Sequence, residues 1–430
     1  MSKAGIISLG CSKNQVDSEL ILGCLRDAGF AITAKESDAD VIIVNTCGFI
    51  TPAKEESIEA ILTAASKKKP GALLVVTGCL SQRYPKELQA ELPEVDLFWG
   101  VGGHQGLVER ICALTGGQNP CAFTGERVLS TPPYRAYLRI ADGCDNRCAY
   151  CAIPLIRGGR RSVPMEKLVS EAEMLIHGGA EELTLIAQDT SAYGGDLYGK
   201  PMLAELLKRL SGISGLRWLR VLYAYPNTVT EELVDTMLYY DNIVKYIDMP
   251  IQHIDPVMLE RMNRHGSAEH IRHITDYIRK ASPDFILRTT VMLGFPGETE
   301  EQFNRLAEFM REHPFDRVGA FAFSQEEGTP AAEFPMQVPE KTAALRLDAI
   351  MQNQRRISLA MNQKRIGRAY DVLVERTERE RIWGRSYGEA PDVDGMIEAS
   401  GASPGCSPGT MLRVKITQAD PYDLKGEIIT

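Results

Sequence analysis

Three short apolar segments near the start of the chain share one design. Each is partly β-branched, and each is followed at once by a cysteine and then by a helix-compatible stretch. Continuous apolar runs of this kind are typical of parallel strands covered on both faces. The pattern predicts an N-terminal open parallel α/β sheet domain over residues 1–120. The three segments are GIISL before Gly10-Cys11, VIIVN before Thr46-Cys47, and LLVVT before Gly78-Cys79.

The cysteines after these segments are expected to lie close together. In an open parallel sheet, ligands collect beyond the carboxyl ends of the strands, and Cys11, Cys47 and Cys79 all follow such an end. Three thiolates can hold three irons of a four-iron cluster and leave the fourth iron without a protein ligand. The alternative is that all three are buried core residues, a common fate of small thiols. Their equivalent positions favour a cluster site.

Three further cysteines lie close together in the sequence. Cys144, Cys148 and Cys151 lie within one stretch, ADGCDNRCAYCAIP, and again supply three thiolates. A structural zinc site needs four ligands, and no Cys or His follows Cys151 closely enough to complete one. Disulfides belong to oxidising compartments and small scaffolds. The run therefore predicts a second cluster with an open iron. Four cysteines fit neither pattern and are predicted to be packing or surface residues: Cys24, Cys112, Cys121 and Cys406.

Strand-like and helical segments alternate between residues 134 and 364, which predicts a central partial (β/α) barrel. Its strands are YLRI, ELTLIA, RWLRVLY, IVKYID, ILRTTVML and VGAFAF, and its helices include MEKLVSEAEMLI and AEHIRHITDYIRKA. Residues just after the strands should line the working face: Gln188, Asp189, Tyr225, Pro226, Gln252, His253, Gly294 and Gly297. A lone histidine such as His253 is more often structural than catalytic. Glu298 either caps the following helix or bonds a ligand.

The segment 365–430 changes to short alternating stretches separated by turn residues, which predicts a small C-terminal antiparallel β-barrel. It contains eleven acidic and nine basic residues. A slightly acidic barrel suits a basic protein partner better than a phosphate backbone.

Composition limits the class of protein. The 430 residues carry a net charge of -9, with 44% hydrophobic and 24% charged residues, as in an ordinary globular protein. This balance argues against a broad nucleic-acid surface, although Arg157, Arg160 and Arg161 form a local basic patch. The run Lys67 to Lys69 is interpreted as a solvated face. No signal sequence or membrane span is expected, so the predicted location is cytoplasmic.

Two resemblances add to this interpretation. The C-x3-C-x2-C run with Tyr150 before its last cysteine resembles the signature of the radical S-adenosylmethionine (SAM) superfamily. That resemblance implies a [4Fe-4S] cluster whose open iron is chelated by SAM, and it implies SAM contacts from Tyr150, Gln188 and Gly294, since AQDTSAYG and GFPGETEE are similar to segments lining the SAM cavity. No catalytic residue beyond the cluster ligands is implied.

The segments LGCSKNQVDSE, VNTCGFI and VTGCLSQRYP resemble the N-terminal domain of the methylthiotransferases. This resemblance implies an auxiliary [4Fe-4S] cluster on Cys11, Cys47 and Cys79, so that the chain would hold two clusters. The C-terminal segment resembles a TRAM domain. Its stretches GRSYGEAPDVDG and ADPYDLKGEI resemble the RimO-type branch, which adds a methylthio group to an aspartate β-carbon of the small-subunit ribosomal protein at the decoding centre.

The implied partners are that ribosomal protein, free or within the ribosomal subunit, and a low-potential electron donor such as flavodoxin or ferredoxin. A monomer without a membrane partner is expected. Two alternatives stay open: the sister enzyme that modifies adenosine in tRNA, and a non-catalytic iron-sulfur electron-transfer or carrier protein.

Overall fold

The computed structural model describes residues 1–116, 123–403 and 405–429. Its N-terminal part is a five-stranded parallel sheet with the strand order β2-β1-β3-β4-β5. The strands are Lys3–Ser8 (β1), Ala31–Ile32 (β2), Val41–Thr46 (β3), Leu73–Gly78 (β4) and Leu97–Phe98 (β5). The helices are Ser12–Asp27 (α1), Thr51–Lys67 (α2), Cys79–Arg83 (α3), Pro85–Glu91 (α4) and His104–Thr115 (α5). The predicted open parallel α/β sheet is confirmed.

Alternate residues of the central strand β3 show why its sequence is apolar throughout. Ile43 packs in a core that includes residues of α1 and α5, whereas Val44 packs in a second core with residues of α2 and α4. All six residues of β3 are buried, because helices cover both faces of the sheet.

The middle of the chain forms a six-stranded parallel sheet in the order β13-β12-β11-β10-β9-β6. Strands β6 and β13 stand at its edges, as the predicted partial barrel requires. The strands are Arg135–Arg139 (β6), Ala141–Asp142 (β7), Arg161–Ser162 (β8), Glu182–Ile186 (β9), Trp218–Val221 (β10), Ile243–Asp248 (β11), Ile286–Leu293 (β12) and Arg317–Ala322 (β13), of which β7 and β8 form a separate pair. All six predicted strand segments are confirmed.

Helices cover the outside of this sheet and bury the largest apolar core of the described residues. The helices of this part of the chain are Ile153–Arg157 (α6), Met165–His177 (α7), Gly195–Tyr198 (α8), Leu203–Ser211 (α9), Glu231–Tyr239 (α10), Pro256–Arg261 (α11), Ala268–Ala281 (α12), Glu300–Glu312 (α13) and Glu340–Gln363 (α14). Of these, α6 and α8 contribute no residue to that core. Three short 3-10 helices complete the described segments: Glu36–Asp38, Pro226–Thr228 and Pro330–Glu333. The interpretation of Glu298 as a helix cap is wrong, because Thr299 caps α13 through a capping box with Gln302.

The C-terminal segment closes into a five-stranded barrel in the order β14-β15-β16-β18-β17. The strands are Ala369–Glu378 (β14), Arg381–Arg385 (β15), Ile397–Ser400 (β16), Met411–Ala419 (β17) and Leu424–Ile428 (β18). The predicted small barrel is confirmed, with one difference: β16 and β18 pair in parallel, while the other pairs are antiparallel. In β18, only the two ends, Leu424 and Ile428, are bulky and apolar.

The segment between β15 and β16 contacts the six-stranded sheet of the partial barrel. Ser386, Glu389 and Ala390 are almost completely buried, and the Glu389 carboxylate accepts from Arg365 and Ser386. The hydroxyl of Tyr246 in β11 donates to Asp394 over 2.7 Å. We call residues 386–394 the plug segment, since it closes the amino-terminal side of the partial barrel. No described helix is both long enough and apolar enough to span a lipid bilayer.

Candidate active site

One cavity of about 470 Å³ is lined by all six cysteines that the sequence singles out. It lies where the carboxyl ends of the N-terminal sheet face those of the barrel strands. Its volume falls within the range of roughly 300–1,000 Å³ that is usual for small-molecule sites. We call Cys11, Cys47 and Cys79 the dispersed set, and Cys144, Cys148 and Cys151 the compact set.

Tight turns at strand ends bring the dispersed set together. Cys11 immediately precedes α1, Cys47 follows β3, and Cys79 is the first residue of α3. Gly10 has φ +86°, and a Cβ atom there would lie 2.8 Å from the Cβ atom of Cys47. Only glycine tolerates both that backbone conformation and that close approach. The spacing between Cys11 and Cys47 therefore depends on Gly10.

The compact set sits on a loop held by backbone hydrogen bonds. The Cys144 amide donates to the Gly158 carbonyl over 3.0 Å, and the Ala149 amide donates to the Met262 carbonyl over 2.8 Å. Gly143 has φ +72°, and a Cβ atom there would lie 2.1 Å from the Gly159 carbonyl oxygen. These contacts fix the loop between β7 and α6.

Burial dominates the chemistry of the thiols. It raises the pKa of Cys144 to about 11, and it raises the pKa values of Cys79 and Cys151 to about 12. Because only the thiolate is a good metal ligand, binding of iron would displace protons from these groups. Thiols with pKa values raised in this way hold a metal centre better than they hold free thiolate charge.

Each cysteine set receives one arginine. Nη2 of Arg157 lies 3.6 Å from Sγ of Cys79 in the dispersed set. Nη1 of Arg264 lies 3.7 Å from Sγ of Cys148 in the compact set and 3.0 Å from the Tyr150 hydroxyl. Such N–H groups would stabilise negative charge on coordinated sulfur.

Arg157 also ties the N-terminal sheet to the barrel. Its side chain is buried and donates to Asp17 Oδ2 over 2.8 Å, to Asn14 Oδ1 over 2.8 Å and to Asp142 Oδ1 over 3.0 Å. The interpretation of Arg157 as part of a basic surface patch is wrong. The patch is reduced to Arg161, which is exposed, and to Arg160, which is partly buried.

The implied SAM contacts fall in different places. Tyr150 and Gln188 line the cavity, and Oε1 of Gln188 is buried without a hydrogen-bond partner in the described residues. That atom can accept a hydrogen bond from a bound molecule. Gly294 does not line the cavity; a Cβ atom there would lie 2.4 Å from Cβ of Ala343. This close packing against α14 explains why residue 294 is a glycine.

Of the other candidates after the barrel strands, some line the cavity and some do not. Tyr225 and Gln252 line the cavity. His253 is fully buried; its Nδ1 accepts from the Asp255 amide, and its Nε2 lies 3.3 Å from the Glu298 carboxylate. This environment is that of a structural histidine. Three further candidates are absent from the cavity lining: Asp189, Pro226 and Gly297.

Glu298 contacts its own surroundings rather than the cavity. Its Oε2 accepts from the Gly294 amide and from Arg346 Nη1, each over 2.7 Å. The carboxylate therefore braces the glycine turn against α14.

Sequence reasoning missed two cavity residues of the first turn of α1, Lys13 and Asn14, and one after β10, Tyr223. The position of Lys13 and Asn14 directly after a strand-end cysteine was a signal that could have found them. Tyr223 has φ +62°, a conformation unusual for a residue with a side chain, and nothing in its sequence context indicates it.

The donor set fits iron-sulfur clusters. In residues 1–116, 123–403 and 405–429, no three His, Cys, Asp or Glu side chains are arranged to hold a single metal ion. Six thiols surround the cavity instead, and none of its described lining residues is acidic. Thiolates are the usual ligands of iron-sulfur clusters, whereas Mg²⁺ and Ca²⁺ require oxygen ligands.

The other described cysteines serve packing. Cys24 and Cys112 are buried in one core of the N-terminal sheet, and Cys406 packs against the C-terminal barrel. The nine described cysteines are all free thiols. Cys121 lies outside the described residues.

Three protein families match successive parts of the chain. Residues 3–100 match Uncharacterized protein family UPF0004, residues 138–310 match the Radical SAM superfamily, and residues 366–429 match the TRAM domain. Among solved structures, the radical SAM methyltransferase TsrM from Kitasatospora setae is similar with a TM-score of 0.56 and 14% identity. The similarity covers 89% of this chain and 81% of that chain, and it shows a shared fold.

Curated relatives are similar over the whole length. A protein of Pelotomaculum thermopropionicum named Ribosomal protein uS12 methylthiotransferase RimO is 48% identical over 443 residues, covering 99% of each chain. Proteins with the same name from Clostridioides difficile and Geobacter sulfurreducens are 44% and 45% identical and cover 100% of this chain and 99% of their own. These relatives favour the protein-modifying branch over the tRNA-modifying one. With three matching domains in order and this identity from end to end, the chain belongs to the RimO family of radical SAM methylthiotransferases.

Proposed function

We propose that this enzyme replaces one hydrogen on the β-carbon of an aspartyl residue of ribosomal protein uS12 with a methylthio group. The observation that carries the proposal is the placement of two three-cysteine sets on one cavity. The relatives named for uS12 methylthiolation, similar over their full length, support the choice of substrate. A simple electron carrier has no need for a cavity of about 470 Å³ beside its clusters.

The superfamily implies a [4Fe-4S] cluster and SAM. The compact set would hold that cluster, and the dispersed set would hold a second one. When bound, these groups would supply the radical that removes the substrate hydrogen, the sulfur atom and the methyl group. Residues 1–120 would serve as the auxiliary-cluster domain, 134–364 as the radical SAM core, and 365–430 as the substrate-presenting TRAM-like barrel.

The chain's own residues have positioning and electrostatic tasks. Arg157 and Arg264 direct N–H groups at one cysteine of each set. The free Oε1 of Gln188 offers an acceptor to the ammonium group of SAM, and Tyr150 sits at the wall beside the compact set. Arg157 holds the two halves of the cavity together through Asp17 and Asp142, so a reactive group formed at one set stays close to the other.

The partners follow from this chemistry. A low-potential one-electron donor such as flavodoxin or ferredoxin would reduce the cluster of the compact set. The C-terminal barrel, with its small excess of acidic residues, suits the basic ribosomal protein, either free or within the ribosomal subunit. The enzyme would act as a cytoplasmic monomer.

The decisive experiment incubates the reconstituted, reduced enzyme and SAM with isolated uS12 and with tRNA in separate reactions. Mass analysis of each product should show the gain of one methylthio group on an aspartyl residue of uS12 and no change in tRNA. A gain confined to tRNA adenosine would contradict the proposed substrate.

A further inference from the structure

Three cations line the cavity, and two of them are committed to protein partners. Arg157 pairs with Asp17 and Asp142, and Arg264 bonds the Tyr150 hydroxyl and the Pro250 carbonyl. Each arginine also approaches one cysteine sulfur. The third cation is Lys13, and no acidic side chain is among the described lining residues.

Lys13 is buried to all but 7% of its surface and points into the cavity from the first turn of α1. Its Nζ lies 3.0 Å from the centre of the Tyr223 ring. Among the described residues, the ammonium group contacts this ring and forms neither a hydrogen bond nor an ion pair. An ammonium has three N–H donors, and a ring face satisfies them only in part. Lys13 therefore lacks an anionic partner.

The ring beneath Lys13 is held in place. Tyr223 has φ +62°, and its amide donates to Asp248 Oδ2 over 3.1 Å. Arg288 Nη1 in turn donates to Asp248 Oδ1 over 2.6 Å. A strained conformation persists only where the surroundings enforce it, and it is often found at ligand sites. The ammonium therefore lies over a ring that the barrel holds in one position.

We propose that Lys13 binds the carboxylate of the substrate aspartyl side chain and so determines specificity for an acidic residue. This inference rests on the proposed function. A charge-assisted hydrogen bond to a carboxylate oxygen is stronger than one to a neutral acceptor. Since the β-carbon is bonded directly to the carboxyl carbon, holding the carboxylate at Lys13 places the reacting C–H group inside the cavity. An asparagine side chain or a nucleobase offers only a neutral acceptor, so its hydrogen bond to the ammonium would be weaker.

The test compares four full-length, reconstituted enzymes: wild type, Lys13→Met, Lys13→Arg and Lys67→Met. Lys67 is exposed at the end of α2, so its replacement controls for the loss of one positive charge. The probes are two synthetic uS12 segments that differ only in Asp or Asn at the target position. Binding is measured by fluorescence anisotropy, SAM affinity by calorimetry, and product by mass analysis.

Wild type and Lys67→Met should bind the Asp segment about tenfold more tightly than the Asn segment. Lys13→Met should bind the two segments equally, and Lys13→Arg should keep most of the preference. If the methionine variant does not fold, Lys13→Gln gives the same comparison. An unchanged preference for Asp in the neutral variant would overturn the proposal. Weakened SAM binding with an unchanged preference would also overturn it and would assign the ammonium to the SAM carboxylate.

Failure of the proposed function gives a different result. In that case the wild type leaves both segments unmodified, whereas the binding preference and its dependence on Lys13 are measured without turnover.

Discussion

At the amino-terminal side of the barrel strands, buried carboxylates and arginines pair with each other, whereas the cavity at the carboxyl side holds cations and thiols without a lining carboxylate. Glu182 is fully buried between Arg220 and Arg385, with N–O distances of 2.8 and 2.7 Å. In the cavity, the Lys13 ammonium lies over the Tyr223 ring and has no carboxylate partner among the described residues. The buried charges at the amino-terminal end are thus paired within the protein, whereas Lys13 at the carboxyl end is left for an external partner.

The pKa values of the paired carboxylates reflect this difference. Burial by itself would raise the pKa of Glu182, but the guanidinium groups of Arg385 and Arg220 outweigh it and hold the pKa at about 2. Arg365 and Arg317 likewise lower the pKa of Glu389 to about 2 against the effect of burial. Buried charges with complete protein partners indicate structure, and a buried charge without one indicates a ligand.

The largest effect is expected at the carboxyl end. Cys144→Ala should abolish formation of 5′-deoxyadenosine, because two thiolates cannot hold the cluster that the compact set is proposed to bind. Chromatography of the reduced enzyme with SAM measures this product. Cys406→Ala, which alters a thiol of the C-terminal barrel, should leave it unchanged. Persistent formation in Cys144→Ala would contradict the assignment of the compact set.

A change in the dispersed set should abolish one activity and leave another intact. Cys11→Ala should retain SAM cleavage but stop methylthiolation, because the compact set lies on a loop of its own. Product mass and 5′-deoxyadenosine are measured in the same reaction. Formation of methylthiolated product by this variant would show that the dispersed set is not required for sulfur insertion.

At the amino end, the expected effect is on stability. Arg385→Met removes partners from Glu182 and Glu375 in a buried site and should lower the free energy of unfolding by about 3–5 kcal/mol. The exposed pair of Arg381 with Glu398 provides the control, and Arg381→Met should cost less than about 1 kcal/mol. Urea unfolding measures both. SAM cleavage per folded molecule should match the wild type, and a loss of it would mean that the two ends are not independent.

A gradual effect is expected with pH. The pKa of Glu182 is 4.5 unfolded and about 2 folded, and Glu389 behaves alike, so both carboxylates stabilise the fold above the unfolded value. That stabilisation should be lost as the pH falls from about 4.5 towards about 2.

Tryptophan fluorescence can locate this loss. Trp218 and Trp383 lie in β10 and β15, near the plug segment, and Trp99 lies in the N-terminal part. In Trp99→Phe, the urea midpoint reported by the remaining tryptophans should fall steadily with acidification. A midpoint independent of pH over that range would show that the carboxylates are not held in this way.

The sequence predicts most of this architecture where the information is local or periodic. The compact set is found from spacing alone, since its three cysteines span eight residues. The dispersed set is found because carboxyl ends of parallel strands must meet at one edge, even though Cys11 and Cys79 are far apart in the chain. Their roles as cluster ligands remain predictions.

What the sequence does not predict depends on contacts between distant segments. Arg157 stands in the same basic stretch as Arg160 and Arg161, and only the approach of α1 makes it a buried link to Asp17. Lys13 follows Cys11 closely, yet its lack of an anionic partner depends on which barrel residues face it. The left-handed conformation of Tyr223 comes from tertiary restraint rather than from any glycine or turn residue.

The plug segment limits how freely this enzyme can be recombined with its relatives. A chimera that exchanged residues 365–430 for another TRAM domain would retain Arg317 and Glu182 in the barrel but lose their partners Glu389 and Arg385. Such a graft would begin with uncompensated charges in its interior. The C-terminal barrel is therefore not an interchangeable module, and its loop between β15 and β16 would have to be inherited together with the partial barrel that it closes.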